Sequence, residues 1–61
     1  MIAREMRVRV WSDLVTINVH QTSKTVWIAA GEYLGHHIQV KGRTATAATK
    51  LWAETARYRT N

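Results

Sequence analysis

Two six-residue stretches near the amino end, Met6–Trp11 (MRVRVW) and Val15–His20 (VTINVH), alternate apolar with polar or charged residues. A period of two belongs to a β-strand with one buried face, so the chain must build an antiparallel pair that is wet on one side. Ser12-Asp13 lies between the stretches and suits a two-residue turn. With that turn Val10 faces Val15, Val8 faces Ile17 and Met6 faces Val19, and all of these share one side of the sheet.

A polar break, Gln21-Thr22-Ser23-Lys24, precedes Thr25–Ala30 (TVWIAA), which is rich in branched and aromatic side chains. A four-residue loop pairs Val19 with Val26, Ile17 with Ile28 and Val15 with Ala30, and extends the same apolar side. A slip of one residue would carry every apolar side chain to the opposite face. Gly31 and Gly35 then bracket Glu32-Tyr33-Leu34, read as a loop, and His36–Lys41 (HHIQVK) is a fourth strand. An odd-length connection keeps Ile38 and Val40 on the core side, whereas a two-residue turn at Leu34-Gly35 places them with Trp27.

Gly42-Arg43 ends the strand, and Thr44 is a suitable N-cap for a helix from Ala45 to Arg59. Ala45, Ala48, Leu51, Trp52 and Ala56 form its apolar stripe, with Thr46, Lys50, Glu54 and Arg57 opposite. The expected architecture is α+β: a four-stranded antiparallel meander (β-β-β-β-α) with one C-terminal helix packed on one face. Residues 1–61 make a single small domain.

At 61 residues with no cysteine, the chain has neither disulfides nor thiolate zinc sites to reinforce it, so packing or oligomerisation must do so. Its opening residues, Met1-Ile2-Ala3-Arg4-Glu5, lead into no apolar run, and no stretch approaches the ~20 apolar residues of a membrane span. A soluble, cytoplasmic protein with no membrane partner is expected. The net charge of +5 favours polyanionic partners.

One helix covers one side of a sheet, and the other side must meet water or a partner. By the register above it displays Arg7, Arg9, Trp11, Thr16, Asn18, His20, Trp27, Gln39 and Lys41, with Arg43 just beyond the fourth strand. Indoles offer stacking platforms, cations neutralise phosphates, and Asn18 and Gln39 can read base edges. The expected function is a small nucleic-acid-binding module, for DNA rather than RNA. The alternative is a protein-interaction adaptor or inhibitor that meets an acidic protein surface, or a homodimer centred on Trp11 and Trp27. A solvated antiparallel face also carries Arg, Lys and Thr, and cross-strand tryptophan pairs stabilise sheets without any ligand.

Catalytic chemistry has little to stand on. His36 and His37 are adjacent on a strand and point to opposite faces, so they do not share a metal. Glu5, Asp13, Glu32 and Glu54 have no spacing that pairs two of them as acid and base, and Ser12 and Ser23 sit in turns without a matched base. Gly31-x-x-x-Gly35 precedes no helix and lacks the lysine of a phosphate loop. No enzyme, no metal and no cofactor is expected.

Trp27-Ile28-Ala29 in a strand, followed by the helix Thr44-Ala45-Thr46-Ala47-Ala48-Thr49-Lys50-Leu51-Trp52-Ala53-Glu54-Thr55-Ala56-Arg57, carries a resemblance. Residues 25–61 resemble the three-stranded-sheet-plus-helix DNA-binding domain of plant ethylene-response factors and phage integrase amino-terminal domains. In that family the helix opens with Thr-Ala, is alanine-rich, carries a mid-helix aromatic and packs closely on a sheet that enters the major groove. The resemblance implies contacts from Trp27 and Lys41, with Arg7 and Arg9 added from the first strand. The family's groove-facing strands are lined with arginine, whereas Lys41 is the only Lys or Arg between Thr25 and Lys41 here, and this chain adds a strand.

Overall fold

The computed structural model describes residues 3–61. Strands β1 (Ala3–Val10), β2 (Asp13–Ser23), β3 (Val26–Tyr33) and β4 (His36–Gly42) form one antiparallel sheet in the order β1-β2-β3-β4, and helix α1 (Ala45–Arg59) follows. This is the expected α+β meander. Met1 and Ile2, part of the opening segment read for a leader, lie outside the described residues.

The turns differ from the expected ones, and each difference has a consequence for the faces. The first turn is Trp11-Ser12 rather than Ser12-Asp13, so Val10 pairs with Asp13, Val8 with Val15 and Met6 with Ile17. Pairing has moved by two residues, an even number, so the same side chains still face the core. Trp11 itself takes φ 56, the left-handed conformation that two-residue hairpins need at their first turn position.

At the second turn the polar residues Gln21–Ser23 continue β2, and the chain reverses at Lys24-Thr25. Gln21 pairs with Trp27 and Ser23 with Val26, which leaves Thr22 as an extra residue in a bulge. Val19 therefore meets Ala29 instead of Val26. The displacement is odd, so β3 turns over: Trp27 and Ala29 face the helix side, and Ile28 and Ala30 face away.

The third turn is Leu34-Gly35, both at positive φ (50 and 82), and Glu32-Tyr33 belong to β3 rather than to a loop. Ala29 pairs with Val40 and Gly31 with Ile38. Ile38 and Val40 thus lie with Trp27, as the two-residue turn requires. Because Trp27 has also changed sides, both remain in the core.

The core unites Val8, Val10, Ile17, Val19, Ala29, Tyr33 and Ile38 of the sheet with Ala48, Trp52, Ala53 and Ala56 of α1. Thr44 caps the helix as expected, its Oγ1 accepting from the Ala47 backbone N–H at 3.0 Å. The stripe is rotated from the expected one. Leu51 is 42% exposed, while Ala53 and Thr49 lie inside. Leu51 is about 130° around the helix from the centre of the buried set at 100° per residue, too far to reach the sheet. Thr49 tolerates burial because its hydroxyl donates to the Ala45 carbonyl at 2.7 Å.

Trp52 is the largest fully buried side chain, and its Nε1 donates to the Ile38 carbonyl at 2.9 Å. Glycines make room for it and for the helix. A Cβ on Gly31 would stand 2.8 Å from Ile17 Cγ2 and 3.2 Å from Trp52 Cζ2. One on Gly42 would meet the Ala48 backbone nitrogen at 2.5 Å, which no side-chain movement relieves. Exchanging Trp52 for Ala is expected to cost about 3–5 kcal/mol in urea unfolding, enough to unfold most of a domain this small.

Tyr33 closes the far end of the core. Its hydroxyl donates to Asp13 Oδ2 at 2.7 Å and approaches the Val10 carbonyl at 3.5 Å. The hydrogen bond to Asp13, then burial, then the carboxylate's charge hold the phenol above its ordinary pKa. The folded state therefore favours the neutral phenol. This stabilisation is complete below the unfolded value of about 10 and is lost as pH rises through the folded value. Melting temperature should fall above about pH 10, and Tyr33→Phe should flatten that fall while lowering stability at neutral pH.

Candidate nucleic-acid interface

Pairing places the side chains of the open face in cross-strand rows. Glu5, Asn18, Ala30 and Gln39 make one row, and His20, Ile28 and Lys41 the next. Arg7 pairs with Thr16, Arg9 with Leu14 and Glu32 with His37. Helix α1 lies on the opposite side, against the buried residues, so no other element among the described residues covers these rows.

Six of the expected interface residues fall together here. Arg7, Arg9, Asn18, Gln39 and Lys41 are exposed, and His20 is half-buried. Arg43 is exposed in the link between β4 and α1, beyond the row that ends in Lys41. Two residues do not join them. Trp11 sits in the first turn and leans toward the helix, its Nε1 donating to Thr60 Oγ1 at 2.9 Å. Trp27 lies on the helix side, partly buried against the core, with the Arg4 guanidinium 5.5 Å above its ring. The contact that the family resemblance implies for Trp27 thus falls on the covered face.

Their absence changes what the face can do chemically. No indole remains as a stacking platform, and Ile28 and Ala30, both half-buried, make a low apolar floor between polar rows. Glu5 and Glu32 also stand on the face, so its own cations, Arg7, Arg9 and Lys41, are partly offset. The charge is more one-sided at the end of the sheet that holds the Lys24-Thr25 turn. Lys24, Lys41 and Arg43 gather there with Arg4 and with the start of α1, whose first turn has no acidic residue. The positive end of the helix dipole adds to the same field. Lys24 and Arg4 were not among the residues expected from the sequence. Lys24 stands in the turn that joins β2 to β3, and Arg4 lies on the helix side of β1 opposite Val19, so an argument confined to the open face does not reach either.

Other chemistry finds no support in the geometry. Among the described residues no three His, Asp or Glu side chains gather as a metal site. His36 and His37 pair with Tyr33 and Glu32 and lie on opposite faces of β4. A depression of about 330 Å³ lined by Gln21, Thr22, Ser23 and Lys24 is open to solvent, and the Gln21 and Thr22 side chains there donate to the Lys24 and Val26 carbonyls of the same turn. Comparison with protein-family models, with curated proteins and with solved structures finds no match.

Solvent access to the three tryptophans checks this arrangement. Acrylamide should quench Trp11 readily, Trp27 partly and Trp52 hardly at all, resolved by single Trp→Phe variants. Equal quenching of Trp11 and Trp27 would return Trp27 to the open face.

Proposed function

We propose that the chain is a binding module rather than an enzyme, and that its open sheet face and the adjoining basic end take up nucleic acid, double-stranded DNA in preference to single strands or RNA. The observation that carries this reading is the gathering of Arg7, Arg9, Asn18, Gln39 and Lys41 on one uncovered face, continued by Arg43 and Lys24 at its end. Single-strand binding relies on bases stacked upon aromatic rings, and this face has none. An antiparallel sheet face with Asn, Gln and Arg side chains instead suits the major groove, where those groups meet base edges while flanking cations meet phosphates. The resemblance of residues 25–61 to a sheet-and-helix DNA-binding domain points the same way, and a nucleic-acid partner goes with the cytoplasmic location expected above.

The test is fluorescence anisotropy with labelled random-sequence duplex and single-stranded oligonucleotides across a salt series. Contacts from three to five cations give a log–log salt slope of about −3 to −4 on the duplex. Arg7→Ala/Arg9→Ala should weaken binding and reduce the slope by about 2. No duplex binding at low salt would remove the proposal and leave the adaptor reading, in which the same face meets an acidic protein. Unchanged binding by the double variant would move the site to the helix exterior around Arg57 and Arg59.

A further inference from the structure

Of the five large apolar side chains exposed among the described residues, Leu51 (42%) stands alone on the outer side of α1 and the other four gather. Trp11 (52% exposed), Leu14 (60%), Leu34 (69%) and Tyr58 (84%) all belong to one end of the molecule. That end holds the Trp11-Ser12 and Leu34-Gly35 turns, the start of β2 and the last turn of α1, and the Trp11–Thr60 hydrogen bond ties turn to helix. It is opposite the basic end that carries Lys24 and Arg43.

We propose that this end docks on an anionic phospholipid surface. Trp11 and Leu34 occupy left-handed positions, φ 56 and 50, where Gly or Asn is the unstrained residue. Each turn therefore keeps a large apolar side chain exposed at a position its backbone disfavours, Trp11 leaning on the end of α1 through its hydrogen bond to Thr60. Tryptophan and tyrosine are the side chains favoured where hydrocarbon meets headgroups, and leucine beside them supplies the inserted volume.

Charge and size select this occupant over others. Arg9, Arg57 and Arg59 surround the apolar end and suit lipid phosphates. The nearby acids are Asp13, already engaged by the Tyr33 hydroxyl, Glu32, paired across the strands with His37, and Glu54 a turn back on α1. A second copy docked end to end would oppose these arginines to themselves. The backbone measures 33 × 17 × 17 Å, and an end about 17 Å across falls well short of the ~800 Å² per partner of a stable protein interface. A bilayer needs no such complementary area, because insertion and headgroup attraction act residue by residue. No helix among the described residues is long and apolar enough to cross a membrane, so the contact is a peripheral one. It departs from the expectation of no membrane partner and lies at the opposite end from Lys24 and Arg43, meeting the proposed DNA face at the Arg9–Leu14 pair.

Co-sedimentation of the full chain with vesicles tests this, using phosphatidylcholine alone and phosphatidylcholine mixed with phosphatidylglycerol. The double variant Leu14→Thr/Leu34→Asn places a strand former in β2 and a left-handed-tolerant residue in the turn, so it preserves the fold. The wild type should bind the anionic vesicles and scarcely the neutral ones, and the double variant should bind them about tenfold or more weakly. Brominated acyl chains should quench wild-type indole emission, since Trp11 is the tryptophan at this end. Three results would each overturn the proposal: no binding to anionic vesicles, binding that the double variant leaves intact, or binding without bromine quenching. Wild-type self-association in sedimentation velocity that the double variant abolishes would overturn it in favour of a second copy.

Discussion

The contact between the Trp52 indole and the sheet determines the rest of the structure. One helix must bury the apolar side of four strands, and it does so with alanines and a single large residue. Ala48, Ala53 and Ala56 bring the backbone of α1 close, Gly42 leaves space for that approach, and Trp52 fills the volume above Gly31 while bonding to the Ile38 carbonyl. The arrangement has two physical requirements: small residues where backbones meet and one polar handle satisfied inside the core. Among the described residues, no buried side-chain polar atom is left without a partner.

Because the helix packs on one side, the sheet divides the surface into regions of different chemistry. The uncovered face carries Arg7, Arg9 and Lys41 with Asn18 and Gln39, partly offset by Glu5 and Glu32, around a floor of Ile28 and Ala30. One end is basic, with Lys24 and Arg43 beside the start of α1, and the other is apolar, with Trp11 and Leu34 at its turns. The net charge of +5 is therefore directional.

Alternation in β1 and β2 identified the core side chains even though the first turn was placed one residue late, since a displacement of two keeps every face. The helix and its Thr44 cap were legible because capping chemistry and the Ala stripe are local. What the sequence hid was parity. Gln21-Thr22-Ser23 looks like a loop, yet it continues β2 with a bulge at Thr22, and that one residue turns Trp27 inward and Ile28 outward. Trp11 and Leu34 were hidden differently: neither is a residue type that signals positive φ, so the turns that hold them carry no local mark. Of the expected interface, the residues on β1 and β2 survived because their faces precede the bulge, those on β4 survived because the two-residue turn at Leu34-Gly35 cancels it, and Trp11 and Trp27 were lost to the first turn and to the bulge respectively.

The proposed function requires the open face, left bare by the position of the helix, to be the surface that meets DNA. Titration of ¹⁵N-labelled protein with an unlabelled duplex, followed by amide and side-chain NMR shifts, addresses that claim residue by residue. The expected result is that shifts concentrate at Arg7, Asn18, Gln39 and Lys41 and extend to Lys24 and Arg43, while the Trp52 indole resonance stays still. Shifts confined to Lys50, Arg57 and Arg59 on the outer side of α1 would contradict it.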